Sequence, residues 1–232
     1  MVCLTGNFDT KKNQGRERVF FVMQTAVIFD LDGTLWDATE QMLPAWNRVL
    51  QRYTSRQPMT LEEVRSYMGK TVEEIAAAAL PTVAEEQRVA IFNQCCIEEL
   101  PWLAEHPGTI YPQVPQVLHQ LAQSHPLYIV SNCQDGYIQT FLQVSGLGDC
   151  FVDFTCSGMT GLGKGSNIRL LMEKHQITRA VYIGDTQGDY NACQKAKIPF
   201  IHASYGMGTV EQPVPCIDCF AQLPEALEKL IR

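Results

Sequence analysis

Ala26-Val-Ile-Phe-Asp30-Leu-Asp32-Gly33-Thr34-Leu35 is the stretch that decides the fold. Four apolar, strand-forming residues run into two aspartates two apart, then a glycine. Such a run reads as a buried strand ending at a turn. It predicts carboxylates at the carboxyl end of a strand, where open α/β sheets place their ligand sites. If the turn curls, both acids face one cleft, one as nucleophile and metal ligand, the other handling a proton. Asp-x-Asp-Gly is also a good turn sequence in its own right, because Asp bonds its own backbone and Gly accepts positive φ. The rest of the chain separates these readings.

Downstream of about residue 109, strand and helix patterns alternate. Helices are predicted over 112–124, 137–144, 166–175, 190–197 and 223–231. Strands are predicted at Leu127–Val130, Phe151–Thr155, Ala180–Ile183 and Pro199–His202. Alternation of this sort means βαβ units, hence an α/β fold with a Rossmann-like, doubly wound parallel sheet. Between the first strand and this region, residues 37–108 carry only helical signals. Met42, Ala45, Trp46, Val49 and Leu50 form a helical stripe. Thr60 with Glu63, Thr71 with Glu74 and Thr82 with Glu85 are spaced as capping boxes, the last opening a helix to about Leu100. The expected organisation is a tail over 1–22, a core from 23–36 and 109–232, and an inserted all-helical domain over 37–108.

The chain has 232 residues, 46% hydrophobic and 19% charged, enough for one domain with an insert. A net charge of -7 argues against nucleic acid as a partner but allows a small phosphorylated substrate. No stretch approaches the roughly 18 apolar residues of a membrane span. Lys11, Lys12, Arg16 and Arg18 precede an apolar run at 19–22 that is too short for a signal peptide. Residues 1–22 read as a disordered tail, or as sequence ahead of a true start at Met23. Nine cysteines, an odd number without regular pairing, read as reduced thiols of a cytoplasmic protein. Cys216-Ile-Asp-Cys219 lacks the second pair that a structural zinc needs. His106, His119, His125, His175 and His202 show no metal-ligand spacing and read as surface or helix-end residues. Nothing sets the oligomeric state beyond monomer or homodimer.

Three further polar clusters follow apolar runs. Ser131-Asn132 ends one strand, and a hydroxyl with backbone N–H groups there can hold phosphate. Gly161-Leu-Gly163-Lys164-Gly165 precedes a helix, and its glycines let the backbone approach a ligand. Gly184-Asp185-Thr-Gln-Gly188-Asp189 ends another strand with two acids suited to a hard cation such as Mg²⁺. Taken singly, each has an ordinary alternative: a turn, a solvated lysine, a helix N-cap.

In this order, the four clusters resemble the motifs of the haloacid dehalogenase superfamily. Asp30-x-Asp32-Gly33-Thr34 is similar to its first motif, Ser131-Asn132 to its second, Lys164 to its third and Gly184-Asp185-x-x-x-Asp189 to its fourth. The helical insert after the first motif resembles the cap of the phosphoglycolate-phosphatase-like and β-phosphoglucomutase-like branch. Ser204-Tyr-Gly206-Met-Gly208 resembles the phosphatase side of that branch.

The resemblance implies a Mg²⁺-dependent phosphatase of a small phosphorylated metabolite. Asp30 is then the nucleophile and Asp32 the general acid and base. The metal ligands are Asp30, the main-chain carbonyl of Asp32, and Asp185, with Asp189 ligating directly or through water. Lys164 neutralises phosphate charge, and Ser131 with the N–H groups of Leu31, Asp32 and Asn132 cradles it, beside Gly33. Thr34 orients Asp32. Lys70, in Gly69-Lys70-Thr71, matches the branch's specificity loop and becomes a candidate substrate contact. Trp46 and Trp102 read as packing within the insert. Asp32 favours phosphoryl transfer over halide displacement, which needs no proton. A phosphomutase is the alternative, with Arg48, Arg52, Arg56, Arg65 and Lys70 as candidate contacts for a second phosphate. A non-catalytic binding protein is the third possibility.

Overall fold

The computed structural model describes residues 24–231; the expected tail and the start at Met23 lie outside them. Six parallel strands form the main sheet: β1 (Ala26–Phe29), β4 (Leu127–Ser131), β5 (Asp153–Cys156), β6 (Ala180–Gly184), β7 (Phe200–Ala203) and β8 (Cys216–Ile217). Their order is β5-β4-β1-β6-β7-β8, so β1 is central and the chain reverses its winding across it. Ligands bind at such a switch point, at the carboxyl ends of the strands. A separate pair, β2 (Trp36–Asp37) and β3 (Thr109–Ile110), runs antiparallel.

Both faces of the main sheet are covered, as near-continuous apolar strands require. Alternate residues go to opposite sides: Val27, Phe29, Ile129 and Ile183 join one core, while Ala26, Ile28, Tyr128 and Tyr182 join the other. Helices α5 (Val114–Leu121), α6 (Tyr137–Ser145) and α10 (Leu223–Ile231) pack on the first side. Helices α8 (Lys164–Lys174) and α9 (Gln187–Ala196) pack on the second, and a single turn, α7 (Ser157–Thr160), follows β5. This is the expected Rossmann-like α/β architecture.

Four helices lie between β2 and β3: α1 (Thr39–Tyr53), α2 (Leu61–Tyr67), α3 (Val72–Ala79) and α4 (Glu85–Glu105). The stripe on α1 is buried as its spacing requires. Thr60 caps α2, and Thr71 with Glu74 completes the box on α3. The third expected box does not form. Residues 80–83 make a turn closed by Val83 N–H to Leu80 O, and α4 starts after it with Ala84 as N-cap. The same helix runs through Pro101 to Glu105, past the expected stop. Pro101 forfeits a bond to Ile97 O, but Ile97 is exposed, so water can take that place. No helix among the described residues is long and apolar enough to cross a membrane.

Candidate active site

The carboxyl ends of β1 and β6 and the first turns of α8 and α9 bring four charged side chains together. Asp30 follows β1, Asp185 follows β6, and Asp189 lies in the first turn of α9. One carboxylate oxygen from each lies within 4.8 Å of the others. Lys164, the first residue of α8, places Nζ 2.8 Å from Asp30 Oδ1 and 2.5 Å from Asp189 Oδ1. All four are buried.

Three carboxylates against one ammonium leave an excess of buried negative charge. Burial, then repulsion from Asp189, holds Asp30 well above the usual carboxylate range, against the pull of Lys164. Burial and Asp189 push Asp185 up to about 7. Burial alone would lower Lys164, but Asp189 and Asp30 together hold it above the ordinary lysine value.

A hard divalent cation fits this all-oxygen donor set. The sharpest mark is on Asp185. Its Oδ2 accepts the N–H groups of Met207 and Gly208 at 2.8 and 3.2 Å, while its Oδ1 is buried without a hydrogen-bond partner. Asp189 differs. Its Oδ1 faces Lys164, and its Oδ2 accepts from Thr186 N and Oγ1 at 2.9 and 2.7 Å. With both oxygens engaged, it suits a ligand that acts through water.

Two glycines make room for Asp185. Gly33 has φ +78°, and a Cβ there would run into the Asp185 carboxylate. A Cβ on Gly206 would meet Asp185 and the Gly33 carbonyl. Gly33 N–H is spent on Trp36 O at 3.0 Å, so this residue serves the site by being small rather than by donating to phosphate.

Asp32 lines, with Asp30, a cavity beneath the inserted helices. Burial raises its pKa to about 6, opposed by a hydrogen bond from Tyr137. Thr34 makes no such bond: its Oγ1 is buried without a partner, and Asp32 Oδ1 accepts instead from the Tyr137 hydroxyl at 2.7 Å.

The sequence profile of the haloacid dehalogenase-like hydrolases matches residues 27–203. This chain belongs to that family. It is an enzyme of the hydrolase class. It is similar to a phosphoglycolate phosphatase of Photobacterium profundum, 26% identical over 222 residues, covering 87% of this chain and 95% of that one. It is also similar to a phosphoglycolate phosphatase of Rhodobacter capsulatus, 28% identical over 185 residues, covering 77% and 84%. In structure it is similar to a haloacid dehalogenase-like family hydrolase from Streptococcus pneumoniae, with TM-score 0.72 and 22% identity, covering 90% of this chain and 98% of that one.

Of the remaining expected residues of this haloacid dehalogenase-like hydrolase, Ser131, Asn132 and Lys70 line the cavity, while Leu31 is buried in the core behind it. Ser131 is buried at the end of β4, its Oγ accepting from Cys133 N–H at 3.3 Å. Asn132 donates Nδ2 to Gly69 O at 2.8 Å and accepts from Ser157 Oγ at 2.9 Å. It thereby ties the loop after β4 to the loop between α2 and α3. Lys70 lines the cavity but is itself exposed; its Nζ donates to Ser66 O at 2.5 Å and rests 5.3 Å from the Tyr67 ring centre.

Trp102 packs within the insert as expected, donating Nε1 to Gln41 O. Trp46 packs there too, against Phe92, but also lines the cavity. His202 is not at a helix end: half-buried, it sits within β7, Nε2 facing Asp185 O at 3.2 Å. Three residues had no signal in the sequence. Tyr137 reads there only as the start of the helix over 137–144, and Gln134 belongs to none of the polar clusters. Glu99 of α4 is fully buried and accepts from Trp46 Nε1 and, at 2.5 Å, from Gln134 Nε2.

Proposed function

We propose that this hydrolase is a Mg²⁺-dependent phosphatase of a small phosphorylated metabolite, working through an aspartyl-phosphate on Asp30. The observation that carries it is the convergence of Asp30, Asp185 and Asp189 on one point, with Lys164 on Asp30 and Asp32 facing the cavity. Asp30 attacks phosphorus while Lys164 restrains its Oδ1, and the ester oxygen leaves. Asp32 gives that oxygen its proton, then takes one from the water that hydrolyses the acyl phosphate, which divides one hard displacement into two. Ser131 and the N–H groups of Leu31, Asp32 and Asn132 hold the phosphoryl oxygens. Asp30, Asp185 and the main-chain carbonyl of Asp32 would hold Mg²⁺, with Asp189 beside them, and the ion would offset the repulsion between Asp30 and phosphate.

Residues 37–108 act as a cap over a core of 23–36 and 109–232, closing to exclude water from the reaction. The cavity under these helices and the Asn132–Gly69 tie favour this assignment. A cytoplasmic location is favoured by the eight free thiols among the described residues.

The phosphomutase alternative loses support. Arg52, Arg56 and Arg65 pair with Glu98, Glu63 and Asp37, and Arg48 stacks on Trp102, so none of them lines the cavity.

The deciding experiment is phosphate release from a panel of phosphometabolites with Mg²⁺, phosphoglycolate among them, with Asp30→Asn and a chelator as controls. Release lost in both controls supports the reading. Release that survives Asp30→Asn counts against it.

A further inference from the structure

We infer that the substrate's leaving group is small and uncharged, carrying neither a carboxylate nor a second phosphate. This rests on the phosphatase reading and concerns the half of the site that meets the alcohol rather than the phosphoryl group. The cavity facing Asp30 and Asp32 has a volume of about 40 Å³. Beyond the aspartates and the loop after β4, its wall is largely apolar, with Met42, Trp46, Val72, Ile75, Phe92 and Cys96 beside the polar side chains of Tyr67, Lys70 and Tyr137.

The polar groups on this wall are turned into the protein. Trp46 Nε1 and Gln134 Nε2 both donate to Glu99, the Tyr67 hydroxyl donates to Glu63, and the Tyr137 hydroxyl to Asp32. An anionic leaving group would be desolvated there without a donor to replace water. Lys70 is the one cation lining the cavity among the described residues. It is exposed to water, with one N–H donated to the Ser66 carbonyl of its own segment, so a substrate anion would compete there with solvent rather than meet a buried cation. Arg52, Arg56 and Arg65 are committed to acids and Arg48 to Trp102, and neither they nor Arg88 line the cavity.

The test compares 2-phosphoglycolate with its neutral amide, phosphoglycolamide, which matches it in size and differs in charge. Both are assayed by phosphate release with Mg²⁺, with p-nitrophenyl phosphate as a general reporter. The expected result is a kcat/KM at least about tenfold higher for the amide, a difference that one uncompensated buried charge readily supplies. A preference for the carboxylate, abolished in Lys70→Met, would overturn the inference while leaving the phosphatase reading intact. Hydrolysis of none of the three compounds would overturn both.

Discussion

Tyr137 donates its hydroxyl to Asp32 Oδ1 across 2.7 Å, joining the start of α6 to the turn after β1. The two residues are 105 apart in sequence. Tyr137 is itself buried and fixed edge-on against Trp36, with ring centres 5.7 Å apart. An acid that must deliver a proton to one atom and recover it from another gains from being held in one rotamer. Tyr137→Phe keeps the packing and removes the bond. We expect kcat to fall about tenfold, the equivalent of about 1.4 kcal/mol, with KM changed less than twofold. Steady-state kinetics on any accepted substrate will check this; a change confined to KM would count against the positioning role.

Among the described residues, Lys164 is the one cation paired with the buried acidic cluster. Lys164→Met removes it and leaves the carboxylates facing one another. Breaking a buried pair of this kind costs about 3–5 kcal/mol. Urea unfolding in chelator should show that loss, and saturating Mg²⁺ should restore part of it.

The unpartnered Oδ1 of Asp185 gives a metal test that needs no substrate. Mg²⁺ at about 100 times its Kd should stabilise the wild type by about 2.7 kcal/mol, visible as a rise in Tm. Asp185→Asn should abolish most of that rise. An equal rise in the variant would remove Asp185 from the ligand set.

Gly206→Ala forces a methyl group into Asp185 and the Gly33 carbonyl. The variant should fold, with a circular dichroism spectrum like that of the wild type, yet lose the Mg²⁺-dependent rise in Tm and at least about 100-fold in kcat, roughly 2.7 kcal/mol. Normal activity would mean that the loop carrying Gly206 shifts freely.

Glu99 predicts a pH dependence of stability. Burial raises its pKa to about 8, against the bonds from Trp46 and Gln134. In the unfolded chain it ionises at about 4.3. Between those values the unfolded state binds fewer protons than the native one, so this group's contribution to stability falls as pH rises from about 4 to about 8. Glu99→Gln loses one hydrogen bond but also loses that slope. Relative to the wild type, the variant should therefore gain up to a few kcal/mol across the window. Parallel stability profiles for the two proteins would show that Glu99 does not carry the effect.

Much of the fold and the acidic cluster was legible because strand and chemistry are adjacent in sequence. Ala26 to Phe29 is apolar throughout because it is buried on both faces, and the acid comes immediately after it. Lys164 and Asp185 stand out similarly beside glycines and strand ends. What escaped is what depends on contact across the chain. Glu98 and Glu99 are neighbours, yet one pairs with Arg52 at the surface and the other is buried beside Trp46. Helical periodicity in a mixed stretch does not say which is which. The two-residue strands β2, β3 and β8 are too short for any alternation to register. Cys216 lies in the last of these, so its spacing to Cys219 belongs to a sheet edge.

The pairing of β2 with β3 carries a different kind of consequence. Trp36 sits opposite Ile110 and Asp37 opposite Thr109, so the chain leaves and re-enters the core at neighbouring points. Gly108 keeps this crossing bare, since a Cβ there would fall 2.8 Å from Asp37 O. To the core, the whole helical segment is equivalent to a tight hairpin loop, and closing a longer loop adds little entropy once its ends are pinned. Such a joint lets a change of length between residues 37 and 109 be absorbed in the helical segment without altering the register of the sheet below.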